Sequence, residues 1–99
     1  MHYLTEFPHY DDTLIVPQGY QDMSWHNDIC PHIERAINPV KCVAIWCDFK
    51  EYSKRELGSM YRFTVAVQDD LDKSDFGFFD DFDNALLFAN ALAEKLTKG

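Results

Sequence analysis

At 99 residues the chain is one domain by length, and its 46% hydrophobic content, with eight Phe, five Tyr and two Trp, supplies the large side chains of a core and excludes disorder. A formal charge of -8 excludes nucleic acid or an anionic membrane as the direct ligand, because phosphate contacts need clustered Lys and Arg; a basic protein or nucleic-acid-binding complex fits better. No apolar run reaches the roughly 18 to 20 residues a bilayer demands, and Met1-His2-Tyr3-Leu4-Thr5-Glu6 lacks the basic start and apolar stretch of a signal peptide, so a cytoplasmic, unprocessed chain with no membrane partner is expected.

The acidity is segregated along the chain. Residues 1–34 carry Glu6, Asp11, Asp12, Asp22, Asp28 and Glu34 with no Lys or Arg. The middle third reverses this through Arg35, Lys41, Lys50, Lys54, Arg55 and Arg62, and residues 69–99 turn acidic again. The first 39 residues also hold Pro8, Pro17, Pro31 and Pro39 and His2, His9, His26 and His32, which predicts a loop-rich N-terminal third. Within it, Thr13-Leu14-Ile15-Val16 reads as a brief strand ended by Pro17, and Ile33–Ile37 as a second strand or a helical turn.

Val40–Phe49 is apolar on both alternating faces, which predicts a central strand. Ser59–Gln68 alternates, with Tyr61, Phe63, Val65 and Val67 on one side and Arg62, Thr64 and Gln68 on the other, so one face is expected to see solvent. Lys50–Gly58 joins the two as a long hairpin loop. A short strand at Phe76–Phe79 follows, and then the period changes. Asp80 or Asp81 caps a helix whose stripe is Ala85, Leu86, Ala89, Leu92, Ala93 and Leu96, closed by Lys95, Lys98 and Gly99. The expected class is α+β: a small antiparallel sheet of about three to four strands, one C-terminal helix packed on one face, and a single domain over 1–99.

Three segments invite chemistry. In the first, Ser24-Trp25-His26-Asn27-Asp28-Ile29-Cys30-Pro31-His32, an extended backbone puts His26, Asp28, Cys30 and His32 on one face, and these are zinc-ligand types. The same run offers Cys30 as a nucleophile, with His26, His32 or His9 as base and Asn27 or Asp28 to orient it. Against both stands a plain loop, Trp25 anchored in the core and Ser24, Asn27 and Asp28 bonding backbone amides. Cys42 and Cys47 lie in the most apolar segment and read as small buried groups; Cys-x-x-Cys is absent, so neither disulfides nor a cofactor is expected.

The second segment, Asp69 to Asp83, fails as a calcium loop. Starting at Asp72 puts Ser74 third, Gly77 sixth and Asp83 twelfth, but Phe76 falls where an oxygen ligand is required.

The third reading treats the crowding of that same segment as the message. Asp69, Asp70, Asp72, Asp75, Asp80, Asp81 and Asp83 repel one another with Lys73 among them, and Phe76, Phe78, Phe79 and Phe82 are interleaved. The expectation is a non-enzymatic interaction protein in which Asp69, Asp70, Asp72, Asp75, Asp80 and Asp81 face a basic partner, with Tyr20, Trp25 and Phe79 as aromatic anchors. The Ser24-Trp25-His26-Asn27-Asp28-x-Cys30-Pro31 string resembles small prokaryotic and mobile-element proteins and implies only a compact domain. In composition the chain is similar to the small acidic anti-CRISPR and anti-restriction inhibitors of phages, which implies a nucleic-acid mimic acting on a phage-defence complex. A homo-oligomeric module pairing through an open sheet edge is the further alternative.

Overall fold

The computed structural model describes residues 2–57, 60–69 and 72–98. Gly58, Ser59, Asp70 and Gly99, all used in the sequence reading, lie outside the described residues. The order is α1 (Tyr3–Glu6), β1 (Gln21–Asp22), β2 (His32–Asn38), β3 (Lys41–Cys47), a 3-10 turn (Tyr52–Lys54), β4 (Phe63–Gln68), β5 (Lys73–Phe79) and α2 (Phe82–Lys98). The α+β class holds, with α2 across one face of an antiparallel sheet. Among the described residues that sheet has five strands instead of three to four, ordered β1-β2-β3-β4-β5, so each strand pairs with its neighbour in the chain.

The central strand is β3, as two apolar faces predict. Val43, Ile45 and Cys47 point to the helix side and are fully buried, while Ala44 and Trp46 point to the other. Against the first face α2 lays Ala85, Ala89 and Ala93, all at 0% exposure, flanked by Phe82, Leu86, Phe88, Leu92 and Leu96. Four-residue spacing keeps the alanines on one stripe, and their small side chains let the helix backbone approach the sheet closely. Asp81 caps the helix by accepting the amide of Asn84 at 3.3 Å, and Lys95 and Lys98 stand at the negative end of its dipole. Tyr20 Oη and Arg35 Nη1 both donate to Asn90 Oδ1, at 2.8 and 3.0 Å, tying the N-terminal loop and β2 to the helix.

Several local expectations are corrected. Thr13–Val16 is not a strand: Leu14 packs on the core, but Ile15 is 76% exposed, and among the described residues no neighbouring strand supplies the ladder that β-propensity alone cannot replace. The sheet edge is taken instead by β1, whose Gln21 and Asp22 pair with Glu34 and Ile33. β5 is longer than Phe76–Phe79 and starts at Lys73, with an irregularity opposite Val65 and Ala66 that leaves Phe76 and Phe78 about half exposed at the other edge. The second face of β4 is not solvated, since Arg62, Thr64 and Ala66 are all buried. Cys30 and Leu57, brought in by loops, pack there on Ala44, Trp46 and Ala66.

The N-terminal third is held by its acids. Asp11 accepts the amides of Lys50 and Glu51 at 2.8 and 2.9 Å, Asp22 accepts those of Tyr3 and Ser24 at 2.7 and 3.0 Å, and Glu6 accepts that of His26 at 3.2 Å. A segment with six carboxylates and no Lys or Arg thus folds against main-chain N–H groups. Asp12 also sits 2.9 Å from Arg62. Burial pushes the Asp11 carboxyl up, but the Glu51 and Lys50 amides outweigh it and hold the group below the usual range. The Thr13 amide, then Arg62, does the same for Asp12 against partial burial. Carboxyls depressed in the folded state contribute stability that is present above their unfolded values, near pH 4, and lost as the pH falls through the lower folded ones. Thermal melts are therefore expected to be flat from about pH 7 to 5 and to drop below about pH 4. Asp11→Asn will shrink that drop; an unchanged acid limb in the variant would refute the assignment.

Candidate functional site

On the face away from α2, the loops cover one end of the sheet and leave the other open as a cleft of about 680 Å³. Its floor is Trp46 of β3, only 9% exposed, whose Nε1 donates to Gln68 Oε1 at 2.6 Å. His32 of β2 stacks on that indole, with ring centroids 4.0 Å apart and planes 16° from parallel. The pairing is built in by register, because His32 and Trp46 are direct cross-strand partners. Two residues on, the strand period returns Glu34 to the same face. One wall is the turn carrying Asn27, Asp28 and Ile29; the opposite wall is the β4–β5 turn with Asp69, Asp72 and Lys73; Leu57 also lines the cleft.

The electrostatics centre on His32. Its Nε2 lies 2.7 Å from Glu34 Oε2, and because a carboxylate only accepts, the proton of that bond belongs to Nε2. The His32 hydrogen bond holds the Glu34 carboxyl below the usual range against partial burial. Nδ1 is buried with no hydrogen-bond partner; its nearest acid, Asp28 Oδ2, is 3.7 Å away, too far to bond. Leaving such an atom unpaired costs on the order of 1–3 kcal/mol. Lys73 Nζ stands 4.9 Å over the Trp46 ring centroid and 3.5 Å from Asp75. Asp28, Glu34, Asp69 and Asp72 therefore surround an aromatic floor on which one ammonium already rests.

The sequence-derived sites fare unequally. His26, Asp28, Cys30 and His32 do not converge: His26 turns outward to Glu6, with Nδ1 3.0 Å from Oε1, Cys30 is fully buried beneath the loops, and Asp28 and His32 remain together. Among the described residues no group of three or more His, Cys, Asp or Glu is arranged to hold a metal ion. Burial, then the nearby Asp48 charge, drives the Cys30 thiol far above its ordinary range, which disfavours the thiolate that nucleophilic attack needs. Burial likewise pushes Cys47 up to about 12, and burial with the Glu34 charge does the same to Cys42, also to about 12.

Tyr20, expected as an anchor, is buried against the helix, and Phe79 packs on Phe88 with ring centroids 5.3 Å apart and planes tilted by 46°. Trp25 does the reverse of the plain-loop expectation: it is 43% exposed and leans on His26, while Ser24 is the buried member and accepts the His32 amide.

The acidic run is not one patch. Asp72 and Asp80 flank the seven residues of β5, on the order of 25 Å apart along an extended strand. Asp69 and Asp72 line the cleft, whereas Asp80 and Asp81 border a separate hollow with Tyr10, Asp12 and Arg62. Asp69 accepts the Asp72 amide, Asp72 accepts that of Lys73, and Asp75 meets Lys73. Such bonds fix each carboxylate's orientation and leave its unit charge in place.

No known protein family, curated protein or solved structure matches the chain. Trp46, Glu34, Gln68 and Lys73 were missed as site residues, although the alternation His32-x-Glu34 opposite a strand tryptophan was a usable signal.

Proposed function

We propose that the protein is a non-enzymatic acidic interaction protein that binds a basic protein surface through the cleft on its helix-free sheet face. The reading is carried by one observation: four carboxylates from three stretches of chain, Asp28, Glu34 and the pair Asp69 and Asp72, line a single concave site with an aromatic floor. Partners with clustered Lys and Arg, such as nucleic-acid-binding proteins, fit that charge. A mimic of the phosphate backbone would need its charges ranked along one face; Asp69 and Asp72 line the cleft while Asp80 and Asp81 border a separate hollow, which favours the cleft reading over the mimic.

A fluorescein-labelled hexa-arginine peptide tests the proposal. Its affinity is expected to fall roughly tenfold between about 50 and 300 mM salt, since exposed charges lose most of their attraction beyond a Debye length. Asp72→Lys, in the cleft wall, will weaken binding several-fold more than Glu94→Lys, a reversal of equal size on the exposed side of α2. Salt-insensitive binding, or equal losses in the two variants, would remove the cleft from the interaction.

A further inference from the structure

We propose that β5 is a docking edge, and that its occupant is an extended segment of a partner protein, apolar at alternate positions and basic at both ends, added to the sheet as a sixth strand. The inference goes beyond the cleft reading and does not depend on it. β5 closes the strand order, so among the described residues no strand meets the outer side of its seven residues. The opposite edge, β1, is two residues long and offers little to pair with. An open edge of the length of β5 presents a row of amides and carbonyls that another chain can extend.

A bulge makes this edge apolar. Asp75 pairs with Ala66 and Gly77 with Val65, which leaves Phe76 as an extra residue between them. Lys73 and Asp75 lie on the helix-free face, Lys73 over Trp46 and Asp75 opposite Ala66. Plain alternation from there would carry Phe76 and Phe78 under α2. The extra residue shifts the period by one. Position 77 turns to the helix, where a Cβ would come within 2.8 Å of the Phe79 ring and 3.0 Å of Phe88, and Phe76 and Phe78 turn away from it, about half exposed. Two neighbouring rings thus stand in solvent beside an open backbone edge, where the side chains of an added strand would cover them.

Charge selects the occupant. Asp72 precedes the strand and Asp80 and Asp81 follow it, all three exposed, while the one cation within the strand, Lys73, is met by Asp75 at 3.5 Å. A second copy paired antiparallel about Phe76 would set the Asp72 of each chain against the Asp80 of the other, like charge on like. A segment with Lys or Arg at each end meets opposite charge at both, and its apolar residues come to lie beside Phe76 and Phe78.

The probe is a peptide of alternating Val and Thr between two pairs of lysines, acetylated and amidated. An isomer gathers the four lysines at one end, and a third version is N-methylated across its centre, which removes its backbone donors. In amide exchange read by nuclear magnetic resonance on protein labelled with ¹⁵N, the parent peptide at saturation is expected to slow the outward amides of β5 roughly tenfold or more and leave β1 unmoved. The isomer will bind several-fold more weakly, and the N-methylated peptide will be inert. Phe76→Thr, at an exposed position, will weaken the parent peptide several-fold more than Leu87→Thr on the exposed side of α2, and leave hexa-arginine binding as it was. Unchanged exchange in β5 at saturation, an N-methylated peptide as tight as the parent, or equal losses in the two variants would each overturn the docking edge. Amides of β5 that slow with rising protein concentration and no peptide would overturn it as well, since a second copy would then take the place. Failure of the parent peptide beside salt-dependent hexa-arginine binding removes the edge and spares the cleft; the reverse result removes the cleft reading and supports the edge.

Discussion

Asp48→Ala is expected to lower stability by about 4 kcal/mol, the largest single loss anticipated for this chain. Asp48 follows β3 directly and is completely buried. Its Oδ1 accepts the amides of Phe49 and Glu56 at 2.8 and 3.1 Å, and its Oδ2 accepts those of Glu56 and Leu57 at 3.1 and 2.9 Å. The carboxylate is thus the internal template of the β3–β4 loop, and alanine strands three amides where water reaches poorly. Leu57, one of the three, packs on the Trp46 cluster and lines the cleft, so the loss propagates to the site. Asp48→Asn keeps one acceptor and turns its amide nitrogen against backbone N–H groups, which predicts about half the effect. For a domain of this size the alanine variant will melt on the order of 20 °C lower. A urea titration giving less than about 1 kcal/mol would show that the loop is held by other means, chiefly Arg55, whose guanidinium donates to the carbonyls of Phe49, Lys50 and Met60.

The second large effect is expected at Arg62. Its Nε donates to the Asp48 carbonyl at 2.9 Å, Nη2 to Tyr10 Oη at 3.1 Å, and Nη1 lies 2.9 Å from Asp12. The guanidinium also covers the Phe63 ring at 4.9 Å. One side chain thereby bolts the N-terminal segment to the sheet, and burial raises the Tyr10 phenol far above its ordinary range, so it remains a neutral donor to the Asp48 carbonyl. Arg62→Ala will cost about 3 kcal/mol, because it removes a buried, hydrogen-bonded charge and the packing of its stem together. Lys in its place keeps the charge and loses the fork, and will recover less than half. Tyr10→Phe, which removes a single hydroxyl, is expected near 1 kcal/mol. Should Arg62→Ala and Tyr10→Phe prove equal in chemical denaturation, the guanidinium would be incidental to the latch.

How far the fold was legible follows from where each signal originates. β3, β4 and α2 carry periodic apolar patterns that need no knowledge of neighbours, and each formed within a few residues of its expected place. β1 has two residues and exists because Glu34 and Ile33 present an unpaired edge, which no pattern in Gln21–Asp22 encodes. Thr13–Val16 had the composition of a strand and no partner, while Lys73–Asp75 had the composition of a turn and gained one in β4. The site was less legible still. Trp46 looked like one more apolar residue of a central strand, and only the register of β2 on β3 puts an imidazole against it. The aspartate run looked continuous because distance along a chain says nothing of direction, and a strand in its middle carried its halves to opposite ends.

Consecutive pairing of the strands also bears on kinetics. Because every strand of the meander zips onto the one just before it, most loops to be closed are short and the search for the sheet is quick. The Tyr10–Arg62 and Tyr20–Asn90 contacts span 52 and 70 residues, so the N-terminal strap is expected to dock late, onto a sheet and helix already in place. Loosening that strap by Arg62→Ala will hasten unfolding in stopped-flow traces and leave the refolding arm almost unmoved, which makes the strap the timer of how long the folded chain survives.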